Sequence, residues 1–271
     1  MDERFLIMPT PADLNLRHAA ALGITREAGD KAADFFRRRH ELVIEHKGLQ
    51  DVVSIADRAA EDHIVGALRA LFPDDRILGE EGGFQGGDGA GCWIIDPIDG
   101  TANFLRGIPH WCVSVGFMVG TTLEIGLIYD PIVGEMFTAR RGQGAFLNGA
   151  KISVTGETDP LKARFGIGLN FKASPAVTVA TIDRLVAGKS EFIRAGSGSL
   201  GLAYVAAGRS DGFWEKHINA WDVAAALLMI TEAGGRVNDF LAGDGLHTGG
   251  EVIAATPGLF EHLATVSGFG A

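Results

Sequence analysis

Two aspartates stand three residues apart at the end of an apolar run. In the segment "GCWIIDPIDGTANF", Asp96 and Asp99 follow the apolar residues 93–95. Aspartate is rare in strands, and it is costly in a core unless it is paired or binds a metal ion. Pro97 fixes the backbone φ angle and makes a rigid corner, so both carboxylates can face one cleft. The segment therefore predicts a cation site at the end of a buried strand.

Three further acidic positions also follow apolar segments. They are Asp57 after "VVSIA", Glu80 with Glu81 after "RILG", and Asp222 after "NAW". Ligands of layered α/β proteins collect beyond the ends of strands, so we expect these carboxylates to converge on one cleft. Each one alone could instead cap a helix or a turn. Carboxylates gathered without Cys or His select hard cations, and Mg²⁺ is the expected ion.

The residues that follow Asp99 suit a phosphate group. Gly100 permits close approach of the backbone, and the N–H groups after it can receive a phosphate at the start of a short helix. Thr101 adds a hydroxyl that can orient a water molecule. The spacing differs from the Asp-x-Asp of phosphoaspartate enzymes and from the ligand pattern of a calcium-binding loop.

A glycine-rich segment offers a competing interpretation. "AGSGSLG" contains Gly196, Gly198 and Gly201 in a G-x-G-x-x-G pattern, and Glu215 lies nineteen residues after Gly196. That pattern is typical of dinucleotide-binding domains. It stands three-quarters along the chain, without the surrounding run of strand–helix–strand units. Tight strand-to-helix packing, or glycines at the border of a substrate pocket, explains the segment better.

Composition limits the function further. The 271 residues carry a formal net charge of −10, which argues against nucleic acid or a membrane surface as a partner. Two cysteines and no apparent signal peptide suit the cytoplasm, and they exclude a cysteine-ligated zinc site. The acidic charge also opposes an anionic substrate unless cations intervene. Divalent ions bound by the site carboxylates would supply the positive charge that removes this objection.

Periodicity and turn residues indicate a mixed fold in two parts. Residues 1–158 are predicted as an α+β half, with helices near 15–39 and from Asp57 to Pro73, followed by an antiparallel meander. Residues 159–271 are predicted as an α/β half in which strands alternate with helices. The predicted helices of that half span 175–187, 198–207 and 222–233.

With these motifs assembled, the chain resembles the inositol monophosphatase family of Mg²⁺-dependent phosphomonoesterases. The resemblance covers roughly residues 15–265 and rests on "GEEGG", "WIIDPIDGTANF", "GAFLNG" and "INAWDVAAALLMITEAGG". "KGLQDVVSIAD" is similar to the mobile metal-site loop of the family, with Ser54 where many members have Thr. The resemblance implies a layered αβαβα fold of the sugar-phosphatase type, homodimers and inhibition by lithium.

The resemblance also implies a role for each site residue. The first Mg²⁺ would be held by Glu80, Asp96, the Ile98 carbonyl and Thr101, and the second by Asp96, Asp99 and Asp222. A weaker third ion would be held by Glu80 and waters. Asp57 and Thr101, together with the Glu80 metal site, would activate the attacking water. Gly100 and Thr101 N–H groups would contact the phosphate, and Glu215 would contact substrate hydroxyls. Apart from the resemblance, the glycine-rich segment itself predicts that Gly198 and Ser199 border the substrate pocket.

These roles imply hydrolysis without a protein nucleophile, which agrees with the lack of a Ser-His or Cys-His motif. The leading expected substrate is inositol 1-phosphate. Histidinol phosphate, a sugar bisphosphate and 3′-phosphoadenosine 5′-phosphate stay open, because the motif residues do not separate them. Some bacterial members of the family act in RNA-linked regulation, so a binding protein that retains the fold is a further alternative.

Overall fold

The computed structural model describes residues 8–41, 44–48 and 51–270. Residues 49 and 50 of the predicted metal-site loop lie outside the described residues, and so does the side chain of Ser54. No helix of the described chain is both long and apolar enough to cross a bilayer.

The first half of the chain builds a large sheet with two long helices. Its elements are α1 (Pro11–Arg37), β1 (Ile44–Gly48), β2 (Asp51–Ser54), α2 (Ile55–Leu71), β3 (Arg76–Gly79), β4 (Gly83–Gln85), β5 (Gly91–Asp99), α3 (Thr101–Arg106), β6 (Cys112–Val119), β7 (Thr122–Asp130), β8 (Glu135–Arg140), β9 (Gly144–Leu147) and β10 (Ala150–Ile152). Strands β1 and β2 pair with each other, and the rest follow the order β10-β9-β8-β7-β6-β5-β3-β4. Only the β3–β5 pair of this described sheet is parallel.

The second half adds a smaller mixed sheet. Its elements are β11 (Arg164–Ile167), α4 (Pro175–Ala187), β12 (Glu191–Ile193), α5 (Gly198–Ala206), β13 (Gly212–Ile218), α6 (Ala220–Glu232), β14 (Arg236–Val237), α7 (Gly245–Thr248), β15 (Gly250–Ala255) and α8 (Phe260–Ser267). The strand order is β12-β11-β13-β15-β14. Strand β11 is parallel to both of its neighbours, while β15 is antiparallel to β13 and β14.

The elements stack in five layers. Helices α1 and α2 cover one face of the large sheet, and α5 with α6 fills the space between the two sheets. Helices α4 and α8 cover the outer face of the small sheet. The predicted αβαβα arrangement is therefore confirmed. The predicted boundary near residue 158 falls between β10 and β11, and the division into two halves stays a prediction.

Strand β5 explains why its sequence is apolar without alternation. All nine of its residues are buried, because helices cover the sheet on both faces. Cys92 and Ile94 pack in the core shared with α6, whereas Trp93 and Ile95 pack in the core shared with α1 and α2. The strand therefore runs through the centre of the molecule and ends with the two aspartates.

Helix α6 lies unusually close to the large sheet. A Cβ atom added to Gly126 of β7 would stand 2.4 Å from the backbone oxygen of Ala225. Only glycine permits this approach, because a side chain at that position would meet backbone rather than a movable group. Asp222 lies one turn before Ala225, so the close contact fixes the height of its carboxylate over the sheet.

Several boundaries differ from the sequence prediction for local reasons. Helix α1 begins at Pro11 rather than near residue 15, because Thr10 and Asp13 form a reciprocal capping box before it. Helix α6 begins at Ala220 rather than Asp222, with Asn219 as its N-cap. The short elements β14, α7 and α8 were not predicted.

Candidate metal centre

Three carboxylates meet at the place where β5 ends and α6 begins. Asp96 and Asp99 close β5, and Asp222 lies in the first turn of α6. Each offers one oxygen atom, and these oxygens lie within 4.8 Å of one another. Asp96 is 1% exposed and Asp99 is 7% exposed, so water does little to offset their charges. A buried carboxylate cluster of this kind calls for a cation.

Glu80 lies near this cluster, at the end of the neighbouring strand. It directly follows β3, which runs parallel to β5, so the carboxyl ends of both strands meet at one edge of the sheet. The Glu80 N–H donates to the Ile95 carbonyl at 3.1 Å, one residue before Asp96. The charge of Glu80 is one of the causes that raise the pKa of Asp96. The two predicted ligands are therefore neighbours.

A hydroxyl links Asp57 to the same corner. The Oγ1 of Thr101 lies 3.2 Å from the Asp57 Oδ1 and 3.0 Å from the Ile98 carbonyl oxygen. Asp57 is fully buried in the first turn of α2. A threonine hydroxyl that donates to a carboxylate keeps lone pairs to accept a hydrogen bond from water. The arrangement suits the predicted water-activating pair.

The N-terminus of α5 holds Asp99 in place. The Ser199 N–H donates to Asp99 Oδ2 at 2.7 Å, the Gly198 N–H donates to Oδ1 at 3.3 Å, and the Ser197 hydroxyl also donates to Oδ2. These bonds favour the charged carboxylate and oppose the effect of burial, which raises the pKa of Asp99. The glycine-rich segment therefore binds a carboxylate of the protein itself, and the competing dinucleotide interpretation is not needed.

Asp222 serves its helix and the cluster together. Its Oδ2 accepts the Asn219 N–H at 2.9 Å, which completes a capping box at the start of α6. The sequence allowed Asp222 to be the N-cap, a metal ligand or both. In the structure the N-cap is Asn219, and the Asp222 carboxylate completes its capping box while it still reaches Asp96 and Asp99.

Burial, and then mutual repulsion, raise the pKa values of the clustered carboxyl groups. Burial, followed by the charge of Asp99, raises the pKa of Asp222 to about 7. Burial also raises the pKa of Asp96 well above its usual range, with Glu80, Asp99 and Asp222 adding to the effect. A divalent cation removes this penalty. The predicted donors are all oxygens, from carboxylates, the Ile98 carbonyl and the Thr101 hydroxyl, and oxygen donors are those that Mg²⁺ prefers.

A cavity of about 360 Å³ opens beside the cluster. Asp99, Asp222, Gly198 and Glu215 line it from the metal side. Glu215 is 7% exposed, and burial raises its pKa well above the usual range, followed by the charges of Asp222 and Asp99. The cavity therefore places the predicted substrate contact Glu215 next to the predicted metal ligands, with room for a small alcohol.

Ser199 occupies a different position from the one expected. It is fully buried, its N–H donates to Asp99, and its hydroxyl donates to the Asp222 carbonyl at 2.7 Å. These groups therefore bind two of the predicted metal ligands. Contact of Gly198 and Ser199 with substrate stays a prediction, as do the phosphate contacts of Gly100 and Thr101.

Sequence reasoning missed three residues that shape the site. Ser197 caps α5 and bonds Asp99. Asn103 of α3 donates to the carbonyls of His110 and Ala195, which connects α3 to the glycine-rich segment. Glu61 lies one helical turn after Asp57. An acidic residue four positions from Asp57, on the same helix face, was the available signal for Glu61.

The chain is similar in sequence to one protein family over nearly its whole length. The sequence profile of the inositol monophosphatase family matches residues 13–268. Proteins named "Nus factor SuhB" are among the similar curated sequences. The one from Pasteurella multocida is 39% identical over 246 residues, covering 90% of this chain and 92% of its own length. The one from Pseudomonas aeruginosa is 40% identical over 252 residues, covering 90% and 93%.

Solved structures with the same fold include two from other bacteria. The extragenic suppressor protein SuhB of Bartonella henselae superposes with a TM-score of 0.88 at 34% identity, covering 94% of this chain and all of its own. An IMPase of Thermotoga maritima gives a TM-score of 0.83 at 31% identity, covering 93% of this chain and 96% of its own.

Proposed function

We propose that this chain, which belongs to the inositol monophosphatase family, hydrolyses a small phosphate monoester with water activated by Mg²⁺. The match to the family profile over residues 13–268 confirms the family predicted from the sequence motifs. The observation that carries the proposal is the cluster of Asp96, Asp99 and Asp222, whose oxygens lie within 4.8 Å of one another beside a cavity. Buried carboxylates that raise one another's pKa are costly, and hydrolysis by a metal ion gives them a use.

The predicted ligand sets fit the positions of the side chains. Glu80, Asp96, the Ile98 carbonyl and Thr101 would hold one ion, and Asp96, Asp99 and Asp222 would hold another, with Glu80 and waters at a weaker third site. Bound Mg²⁺ lowers the pKa of a coordinated water and stabilises charge on the leaving oxygen. Thr101 orients the water by accepting its hydrogen bond, while its own hydroxyl donates to Asp57. Asp57, buried and directed at that hydroxyl, is placed to take up the proton.

The cavity wall bears on which alcohol leaves. Glu215 faces the cavity and would accept hydrogen bonds from substrate hydroxyls, which favours a polyol. Inositol 1-phosphate is therefore the leading substrate. Histidinol phosphate, a sugar bisphosphate and 3′-phosphoadenosine 5′-phosphate are the alternatives, all compatible with the same metal centre.

A panel of phosphate monoesters separates these candidates. We expect the purified protein with Mg²⁺ to release phosphate from inositol 1-phosphate with the highest kcat/KM among the four compounds.

Replacing Glu215 with Gln should raise KM for the polyol more than it lowers kcat, because the contact is made in the ground state as well. Phosphate release is measured for each substrate, with EDTA as the control. A higher kcat/KM for histidinol phosphate would overturn the leading substrate while leaving the phosphatase proposal intact.

A regulatory binding role is the second candidate function. Curated relatives bear the name "Nus factor SuhB", and the prediction that nucleic acid is not a partner rests only on net charge. The intact acidic cluster favours activity, because a protein used only for binding has no need of repelling buried carboxylates. Fluorescence anisotropy with labelled structured RNA at physiological salt tests the alternative. Saturable submicromolar binding would contradict the prediction made from charge.

The remaining properties, expected from the family resemblance or from composition, stay predictions for this chain. They are homodimer formation, inhibition by lithium and a cytoplasmic location. Sedimentation of the purified protein tests the first, and phosphate release in the presence of lithium tests the second.

A further inference from the structure

A buried carboxylate lies behind the metal ligand Glu80. Glu61 of α2 is 4% exposed, and its two oxygens accept backbone N–H groups from the turn after β3. The Glu81 N–H donates to Glu61 Oε2 at 2.9 Å, and the Gly82 N–H donates to Oε1 at 2.6 Å. One side chain therefore binds the two amides that directly follow Glu80.

The turn is held from its other side as well. The Glu80 N–H itself donates to the Ile95 carbonyl of β5 at 3.1 Å. Three consecutive amides, those of residues 80–82, are thus fixed between α2 and β5. Little freedom is left to the backbone that carries the Glu80 side chain toward Asp96.

The glycine before the turn leaves the space that Glu61 fills. A Cβ atom added to Gly79 would lie 2.7 Å from both carboxylate oxygens of Glu61. Glu61 also stands four residues after Asp57, on the same face of α2, so one helix supplies both groups. The packing of β3 against α2 is therefore built around this carboxylate.

We propose that Glu61 is a positioning residue of the metal centre, which holds the turn of residues 80–82 so that Glu80 binds the first Mg²⁺. This inference rests on the proposed metal site and adds a residue that the sequence motifs do not include. Groups that orient metal ligands change metal affinity when they are replaced, typically by about 10-fold to 100-fold. The carboxylate acts here through two charge-assisted hydrogen bonds to the backbone.

Glutamine at this position keeps the shape and removes half of the interaction. A carboxylate accepts at both oxygens, whereas a side-chain amide accepts at one atom and donates at the other. In Glu61→Gln, the NH₂ group would face the N–H of either Glu81 or Gly82. One of the two bonds is then lost, and the turn shifts away from the position that suits Glu80.

Glu232 provides a matched control. Its oxygens accept the N–H groups of Gly142 and Gly144, both at 2.8 Å, in a hairpin turn that contains none of the predicted ligands. Glu232→Gln should lower the unfolding temperature without changing Mg²⁺ binding. Glu61→Gln should weaken Mg²⁺ binding by about 10-fold or more in isothermal titration calorimetry. At saturating Mg²⁺, kcat should return to within a few-fold of the wild type.

Glu61→Asp separates the effect of side-chain length from that of charge. It is also the test variant to use if Glu61→Gln does not fold. The shorter side chain keeps the negative charge and cannot bind both amides, so we expect it to weaken Mg²⁺ binding as well. Wild-type affinity in Glu61→Asp or in folded Glu61→Gln would overturn the positioning role. If both Glu61 variants bind Mg²⁺ more weakly but the wild type releases no phosphate, the proposed function is wrong and the positioning role of Glu61 is still supported. Failure of the wild type to bind Mg²⁺ would overturn both.

Discussion

Asp96, Asp99 and Asp222 belong to one cluster, yet their surroundings differ. The amides and the hydroxyl at the start of α5 donate hydrogen bonds to Asp99, which favour its charged form against the effect of burial. Asp96 is subject to the charges of Glu80 and both other aspartates. Burial, together with these charges, raises the pKa of Asp96, and burial with the charge of Asp99 raises the pKa of Asp222.

The raised pKa of Asp222 predicts a pH dependence of stability. The pKa of Asp222 is raised from 3.8 to about 7 in the folded protein, so the folded state holds a proton that the unfolded state has released. The free energy of unfolding of the metal-free protein therefore receives a contribution that is lost as pH rises through that interval. Because Mg²⁺ competes with these protons, we expect the gain in unfolding temperature on adding Mg²⁺ to increase across the same interval.

Thermal unfolding in EDTA and in Mg²⁺, measured over a pH series, tests this expectation. Asp222→Asn is the control, since it removes the carboxyl group whose pKa is raised. Its metal-free stability should depend less on pH, and Mg²⁺ should add little at any pH. A gain from Mg²⁺ that is independent of pH in the wild type would show that these carboxyl groups are not its binding site.

Among the elements, α6 and β7 determine where Asp222 stands. Gly126→Ala places a Cβ atom against the Ala225 carbonyl, so helix and sheet must separate. We expect the variant to lose about 1–3 kcal/mol of unfolding free energy, as is usual for overpacking. Mg²⁺ affinity should also fall, because the Asp222 carboxylate moves with its helix although no ligand has been replaced. Chemical denaturation and calorimetric titration measure the two effects.

Gly66→Ala is the control for this substitution. Gly66 is exposed in α2, and an added Cβ would meet nothing within 4 Å. We expect this variant to gain up to about 1 kcal/mol of stability from helix propensity and to bind Mg²⁺ normally. Unchanged stability and Mg²⁺ affinity in Gly126→Ala would mean that the approach of α6 does not place the ligand.

The elements also show what the sequence could predict. Helix α4 was predicted with its observed bounds, Pro175–Ala187, because Pro175 and Gly188 mark its ends. Each predicted ligand follows an apolar segment, and that pattern survives in the structure. The hold of α5 on Asp99 was not predictable, since it joins groups about a hundred residues apart. The role of Glu61 was not predictable either, because its partners at 81 and 82 become its neighbours only in the folded chain.

Over the whole molecule, the site depends on both sheets. The large sheet supplies Asp96 and Asp99, while the helical layer between the sheets supplies Asp222 and the amides that hold Asp99. The core of α5 and α6 packs against both sheets, so the cluster forms only when the layers are assembled. The net charge of −10, which seemed to oppose a phosphate substrate, is compatible with one once cations occupy this position.

The central claim is that this carboxylate cluster binds Mg²⁺ and that the bound ion drives phosphate ester hydrolysis. The most direct test compares Mg²⁺-dependent phosphate release by the wild type and by Asp96→Asn, with circular dichroism as the check on folding. We expect the variant to fold and its kcat to fall by about a thousand-fold, equivalent to about 4 kcal/mol of transition-state stabilisation. A folded Asp96→Asn protein that releases phosphate at nearly the wild-type rate would contradict the account.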